Sequence, residues 1–168
     1  LLISSITVFF FYRLCQSFFD EKFSLLGALI FSIFPLIIYS NGLISSACLQ
    51  LFFYLMFINL FLKLFNNEIN KKDLFLLALT SAFTLLLRGE FLIIFLFSLT
   101  FLVLFNKKKL VNSIIILLLT IALVSPYLIR NYKNTGNIHL VNVTGYALWK
   151  GNNQLAKVEG FHNSCLLY

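Results

Sequence analysis

Residues 74–105 read Leu74-Phe-Leu-Leu-Ala-Leu-Thr-Ser-Ala-Phe-Thr-Leu-Leu-Leu-Arg88-Gly89-Glu90-Phe91-Leu-Ile-Ile-Phe-Leu-Phe-Ser-Leu-Thr-Phe-Leu-Val-Leu-Phe105. Two apolar runs flank one polar triplet, Arg88-Gly89-Glu90. As a single helix the stretch would reach about 50 Å, well past the roughly 30 Å of hydrocarbon in a bilayer. The triplet therefore divides it into two short helices, 74–87 and 91–105. They meet at the membrane surface or just inside it, where an arginine and a carboxylate can reach water.

The composition agrees with that setting. The chain has 168 residues, 60% hydrophobic and only 11% charged, with 21 Phe, and its mean hydropathy is +0.93. A water-soluble domain of this size leaves much of its chain at the surface and could not cover so much apolar area. An integral membrane protein is the direct reading. The only Met is Met56, and the chain opens inside an apolar run at Leu1. Both features predict an internal part of a longer polytopic protein.

Downstream of the opening stretch, Lys107-Lys108-Lys109 closes the second short helix. Residues 110–129 form the last span, with Pro126 near its exit, and a polar tail follows Arg130. Upstream, residues 43–65 form a span bounded by the polar segment 66–73. Residues 23–39 form another, with Pro35 positioned to kink its last turn; Ser40-Asn41-Gly42 then reads as a turn. Residues 1–19, interrupted by Arg13 and Gln16, hold the end of a truncated span, and Asp20-Glu21-Lys22 is a charged turn. The predicted fold is all-α. It is a polytopic transmembrane bundle of about six hydrophobic helices, the first truncated and the fourth and fifth short. Residues 1–130 make the transmembrane region and residues 131–168 an extracytoplasmic segment.

The net charge of +7 would suggest nucleic acid in a soluble protein. Here the cations sit between apolar runs, and no nucleic-acid partner is expected. Arg13, Lys22, Lys63, Lys71, Lys72 and Lys107–Lys109 fall in alternate connections, whereas the others hold no cation or Arg88 alone. The positive-inside rule places the first set in the cytoplasm. The Arg88 turn and the tail from Arg130 then lie on the extracytoplasmic side. Cys15, Cys48 and Cys165 show no spacing that suits a metal or a disulfide framework, and no metal site is expected. His139 and His162 are isolated and are not read as bases. Asn142-Val-Thr144 matches a glycosylation sequon, a pattern frequent by chance.

Few polar side chains are placed to carry chemistry. Arg88 suits a lipid phosphate or pyrophosphate, which its planar fork can grip; equally, Arg88 and Glu90 form a snorkelling interfacial pair that ends two helices. Arg130, Asn131 and Tyr132 suit the phosphate and sugar of a headgroup, or else an interfacial anchor at a helix end. Tyr146 and Trp149, beside Gly145 and Lys150-Gly151-Asn152-Asn153, suit a sugar platform or a loop lying on the membrane. No phosphate-cradling glycine loop, paired carboxylates or nucleophile triad is present.

The ordered polar segments resemble those of the C-type superfamily of polytopic glycosyltransferases. The similarity is to the family 39-like bacterial relatives of protein O-mannosyltransferases and aminoarabinose transferases. Pro126, Arg130, Asn131, Tyr132, Gly136, Gly145, Leu148, Trp149, Gly151, Asn152 and Asn153 match a P-W-x-x-R-N-Y segment followed by a glycine patch and L-W-x-G-N-N, with Tyr127 for the Trp and Thr144 for a Gly. Tyr39-Ser40 with Ser45-Ser46 is similar to the family's Y-S-x-x-x-x-S-E-P, with Ser46 and Ala47 replacing Glu and Pro. Leu87-Arg88-Gly89-Glu90 is similar to T-R-P-E. The resemblance implies an enzyme of the bacterial inner membrane. It would transfer a sugar from a polyprenyl-phosphate donor to a lipid, glycan or protein acceptor on the extracytoplasmic face; beyond that donor no cofactor is assigned. The family's general base, an Asp in an external loop, is expected upstream of Leu1, so no catalytic residue is assigned. Substrate contacts are expected from Arg88, Arg130, Asn131, Tyr132 and Trp149. The alternative is a transporter or flippase for lipid-linked sugars, because broken helices also build transport sites near the bilayer midplane.

Overall fold

The computed structural model describes residues 2–42, 46–66, 70–136 and 140. Among them the chain is all-helical. The elements are α1 (Leu2–Gln16), α2 (Glu21–Ile33), α3 (Pro35–Gly42), α4 (Ala47–Asn66), α5 (Lys71–Leu87), α6 (Phe91–Phe105), a 3₁₀ turn (Lys107–Lys109) and α7 (Leu110–Thr135). Two of these helices, α4 and α7, are long and apolar enough to cross a membrane; α1 and α6 are apolar but shorter. Only 17% of the apolar window of α4 and 22% of that of α7 is buried. Large apolar side chains elsewhere, such as Ile93, Phe97 and Leu104 on α6, also face outward. An exposed apolar surface this extensive belongs against lipid or a partner rather than water.

The expected span 23–39 is divided into α2 and α3. Phe34, the residue before Pro35, adopts φ −61° and ψ 121°. A proline excludes the helical region for its predecessor by steric clash, and it then serves as the first residue of the next helix. The expected turn at Ser40-Asn41-Gly42 is the last turn of α3 instead; its residue types mark a helix end. By contrast, α7 runs straight through Pro126. Pro126 lacks the N–H that would bond the carbonyl of Ala122, and the Ser125 hydroxyl donates to that carbonyl at 2.8 Å. The helix stops at Gly136, whose φ of 72° is left-handed and whose N–H donates to Tyr132 O.

Side-chain pairs fix the directions of α1, α2 and α4 to α7. Phe11 stacks on Phe31 and Cys15 lies against Gly27, so α1 and α2 are antiparallel. Ser4 meets Cys48 and Asn59 donates to Phe10 O, so α1 and α4 are parallel. Lys63 pairs with Asp73, and Phe53 stacks on Phe83 ten residues further along α5, so α4 and α5 are antiparallel in constant register. Phe57 meets Phe91 and Phe65 meets Phe101, so α6 runs parallel to α4. Lys109 Nζ donates to the last-turn carbonyls of α4, Leu64 O and Phe65 O, and starts α7 at that end. From there α7 runs beside α5, and Thr120 Oγ1 approaches Ala78 O at 3.5 Å.

The core lies where α5 is held between α4 and α7. Leu77 and Ala78 are fully buried, as are Phe91, Leu102 and Ile116 from the flanking helices. Small residues on α5, Ala78, Ser81 and Ala82, permit close helix approach. The buried hydroxyls satisfy themselves within the helix: Thr80 and Ser81 donate to Leu77 O and Thr84 donates to Thr80 O. Asn59 is a polar link between α1 and α4, beside the Ser4–Cys48 contact, with Nδ2 donating to Phe10 O at 3.0 Å and Leu55 O at 2.8 Å. Asn59→Leu is expected to lower stability in micelles by about 1 kcal/mol, typical of an interhelical hydrogen bond in a membrane protein. Equilibrium unfolding of the two proteins checks this; an unchanged midpoint and slope would show that the link contributes nothing.

Candidate functional site

The helix directions sort the polar residues into two ends. One end carries Arg13, Lys22, Lys63, Lys71, Lys72 and the Lys107–Lys109 turn, at the ends of α1, α4 and α6 and the starts of α2, α5 and α7. The other carries α3, the start of α4, the Arg88-Gly89-Glu90 connection and the last turns of α7. Arg88 and Arg130, which are 42 residues apart in the sequence, belong to this second end.

Arg88 caps α5. Its backbone is extended, at φ −147° and ψ 115°, and its N–H donates to Thr84 O. Its carbonyl accepts from Phe91 N at 3.2 Å, so the same residue closes one helix and opens the next. The side chain is half-exposed, and Nη1 stands 3.9 Å from Glu90 Oε2. A pair this long, with a carboxylate 80% exposed, leaves the guanidinium available to another anion. Continuing the constant register of α4 and α5 five residues past the Phe53–Phe83 stack sets Arg88 opposite Cys48, in the first turn of α4. Arg88 therefore stands at the end of the helix pair and not at its middle.

Arg130 reaches that end from α7. Arg88 lies ten residues past Ala78, and Arg130 lies ten past Thr120, its neighbour across the α5–α7 contact. With both helices running the same way, each guanidinium-bearing residue stands about 15 Å beyond the contact, at one axial level. The inward stripe of α7 is Ser113, Ile116, Thr120 and Val124, extended by Leu128, which packs on the core. Helical spacing continues the stripe to Asn131, which is half-buried, while Arg130 and Tyr132 flank it and are exposed. The Asn131 carbonyl accepts from the Thr135 hydroxyl at 2.8 Å. The three residues therefore stand on the last turns of α7 in a fan, with the amide innermost.

Trp149, with Gly145, Tyr146 and Gly151-Asn152-Asn153, lies outside the described residues, as does Ser45 of the Tyr39–Ser46 segment. No three His, Cys, Asp or Glu side chains among the described residues are grouped to hold a metal ion.

One polar constellation was not singled out in the sequence. At the lysine-rich end, a cleft of about 450 Å³ lies between α1, α4 and the start of α5, lined in part by Arg13, Gln16, Asn59, Lys63 and Asp73. The signal that could have found it is Asn59, an amide in the middle of an apolar run and one helical turn before Lys63.

Compared with protein family models, with curated proteins and with solved structures, the chain matches none.

Proposed function

We propose that the chain forms the membrane part of a glycosyltransferase of the bacterial inner membrane that takes its sugar from a polyprenyl-phosphate carrier. In this reading α1, the broken pair α2–α3, and α4 to α7 make six passes. The lysine-rich end faces the cytoplasm by the positive-inside rule, and the Arg88 and Arg130 end faces outward. Residues after Gly136 continue on that outer side, and the acceptor, a lipid, glycan or protein, approaches there.

The observation that carries the reading is that Arg88 and Arg130 lie at the same end of the bundle, on helices α5 and α7 that run side by side in one direction. When the bond from sugar to carrier breaks, negative charge gathers on the departing phosphate. Two cations set where that charge develops stabilise the transition state more than the ground state. Arginine suits this place because its fork binds phosphate oxygens in pairs. Asn131 and Tyr132 supply an amide and a phenol beside the cations for sugar hydroxyls.

The flippase alternative calls for Arg88 near mid-depth, in a cavity open to either side in turn. The register sets Arg88 opposite the first turn of α4; with six passes as proposed, that is the outer end and not mid-depth. The deciding experiment is Arg130→Ala, assayed in reconstituted membranes for sugar transfer from a polyprenyl-phosphate donor. Loss of turnover or of donor affinity is expected; unchanged values for both remove Arg130 from the site.

A further inference from the structure

The cleft at the lysine-rich end has the composition of an anion site. Arg13 and Gln16 lie one turn apart on α1, and Asn59 and Lys63 lie one turn apart on α4. The Asn59 amide, donating to Phe10 O at 3.0 Å, locks these two polar faces against each other. Asp73 is the carboxylate in the lining, and Lys63 Nζ holds it at 2.6 Å. The charges of that pair cancel at close range. The described ion pairs are Lys63–Asp73 and Arg88–Glu90, so Arg13 has no carboxylate partner among the described residues. Its guanidinium rests over the Phe9 ring at 5.3 Å, a contact that orients the fork without neutralising it. The cleft therefore has one uncompensated cation. Gln16 Nε2 donates one hydrogen to Tyr12 OH and keeps a second N–H beside that cation. Phe10, Met56 and Leu60 complete an apolar wall. Lys71 and Lys72 at the same end raise the local positive potential further, whereas the charge of Lys22 is offset by Asp20 and Glu21 beside it.

We propose that this cleft binds a phosphate group, with the Arg13 fork as its main contact and Gln16 and Lys63 as secondary donors. The apolar wall matches the carbon chain of a phosphate ester, as in a lipid headgroup at the membrane surface; free phosphate offers the same oxygens without that chain. The site lies at the end of the bundle opposite Arg88 and Arg130 and does not depend on the reaction proposed for them.

The test uses the whole chain carrying Arg88→Gln and Arg130→Gln, so that the opposite end contributes no phosphate contact. This protein, purified in neutral detergent, is titrated calorimetrically with phosphatidylglycerol, with inorganic phosphate and with diacylglycerol, which has no phosphate. Phosphatidylglycerol is expected to bind and diacylglycerol not to. Adding Arg13→Gln is expected to weaken binding roughly tenfold, the loss of one charge-assisted contact. Adding Asp73→Asn instead is expected to tighten it, because the opposing carboxylate is gone. Arg13 is exposed, so its replacement leaves the fold intact. Binding of inorganic phosphate with the same dependence on Arg13 assigns the free anion, and binding of phosphatidylglycerol alone assigns the headgroup. Equal affinity with and without Arg13→Gln, or equal binding of diacylglycerol, overturns the proposal.

Discussion

Arg88→Ala and Arg130→Ala are each expected to lower turnover of a polyprenyl-phosphate sugar donor by about a hundredfold, and the double replacement by much less than the product of the two. The magnitude is that of removing one preorganised donor from a developing oxyanion. The non-additivity follows from geometry. Two cations at one axial level that grip one phosphate act as a unit, so losing the first displaces the group that the second would have held. The measurement is a four-point cycle of kcat/KM in reconstituted membranes. Effects that multiply would mean separate groups for the two arginines, and unchanged rates would withdraw both from the site. Arg88→Lys is expected to recover part of the loss at most, because an ammonium keeps the charge and loses the paired hydrogen bonds.

Phe91→Ala is expected to destabilise the bundle by about 2–3 kcal/mol. Phe91 is fully buried, and its ring lies 5.0 Å from that of Phe57, 5.3 Å from Tyr54 and 6.2 Å from Phe95. In a membrane the transfer part of the usual penalty largely cancels, since lipid tails are as apolar as the core. What remains is the cavity, roughly 100 Å³ of lost packing at about 24 cal/mol per Å³. Phe97, on the same helix, is 70% exposed, and Phe97→Ala is expected to change stability by less than about 0.5 kcal/mol. Unfolding of the two variants in micelles separates them. Equal losses would show that the ring cluster does not hold α6 to α4. Phe91 also follows Glu90 directly, so its loss is expected to loosen the turn that positions Arg88.

The elements that were plain in the sequence are those with a strong local cause. The break at Arg88-Gly89-Glu90 falls where an arginine and a carboxylate interrupt apolar runs, and α5 and α6 end and begin there. The stop at Gly136 was not read from the sequence, which ended the span at residue 129, although glycine is the residue that can take the positive φ found there. Pro35 was underestimated as a kink, because the restriction it places on Phe34 is stronger than the loss of one hydrogen bond. The helix was expected to end near Pro126, at residue 129, yet α7 continues to Thr135, and the neighbouring Ser125 takes up the orphaned carbonyl. The composition of the Arg130-Asn131-Tyr132 segment was legible and its arrangement was not. Only the inward stripe of α7 shows that Asn131 turns toward the core between two exposed neighbours. The Arg13 cleft was hidden for a different reason. Its parts come from three helices, and pairing Asn59 with Phe10 requires the parallel register of α1 and α4.

The short helices α5 and α6 have a consequence for the surrounding lipid. Their 17 and 15 residues correspond to about 25 and 22 Å, several ångströms less than an average hydrocarbon layer. α4 and α7, with 20 and 26 residues, reach about 30 and 39 Å. If all of these helices cross the membrane as proposed, a bilayer meeting the short, outward-facing α6 would have to thin there, at a cost of a fraction of a kcal/mol per ångström of mismatch. Such a dimple would draw headgroups inward next to the Arg88 turn. A carrier lipid diffusing in the outer leaflet would then bring its phosphate to the arginine sideways, without lifting its chain out of the membrane.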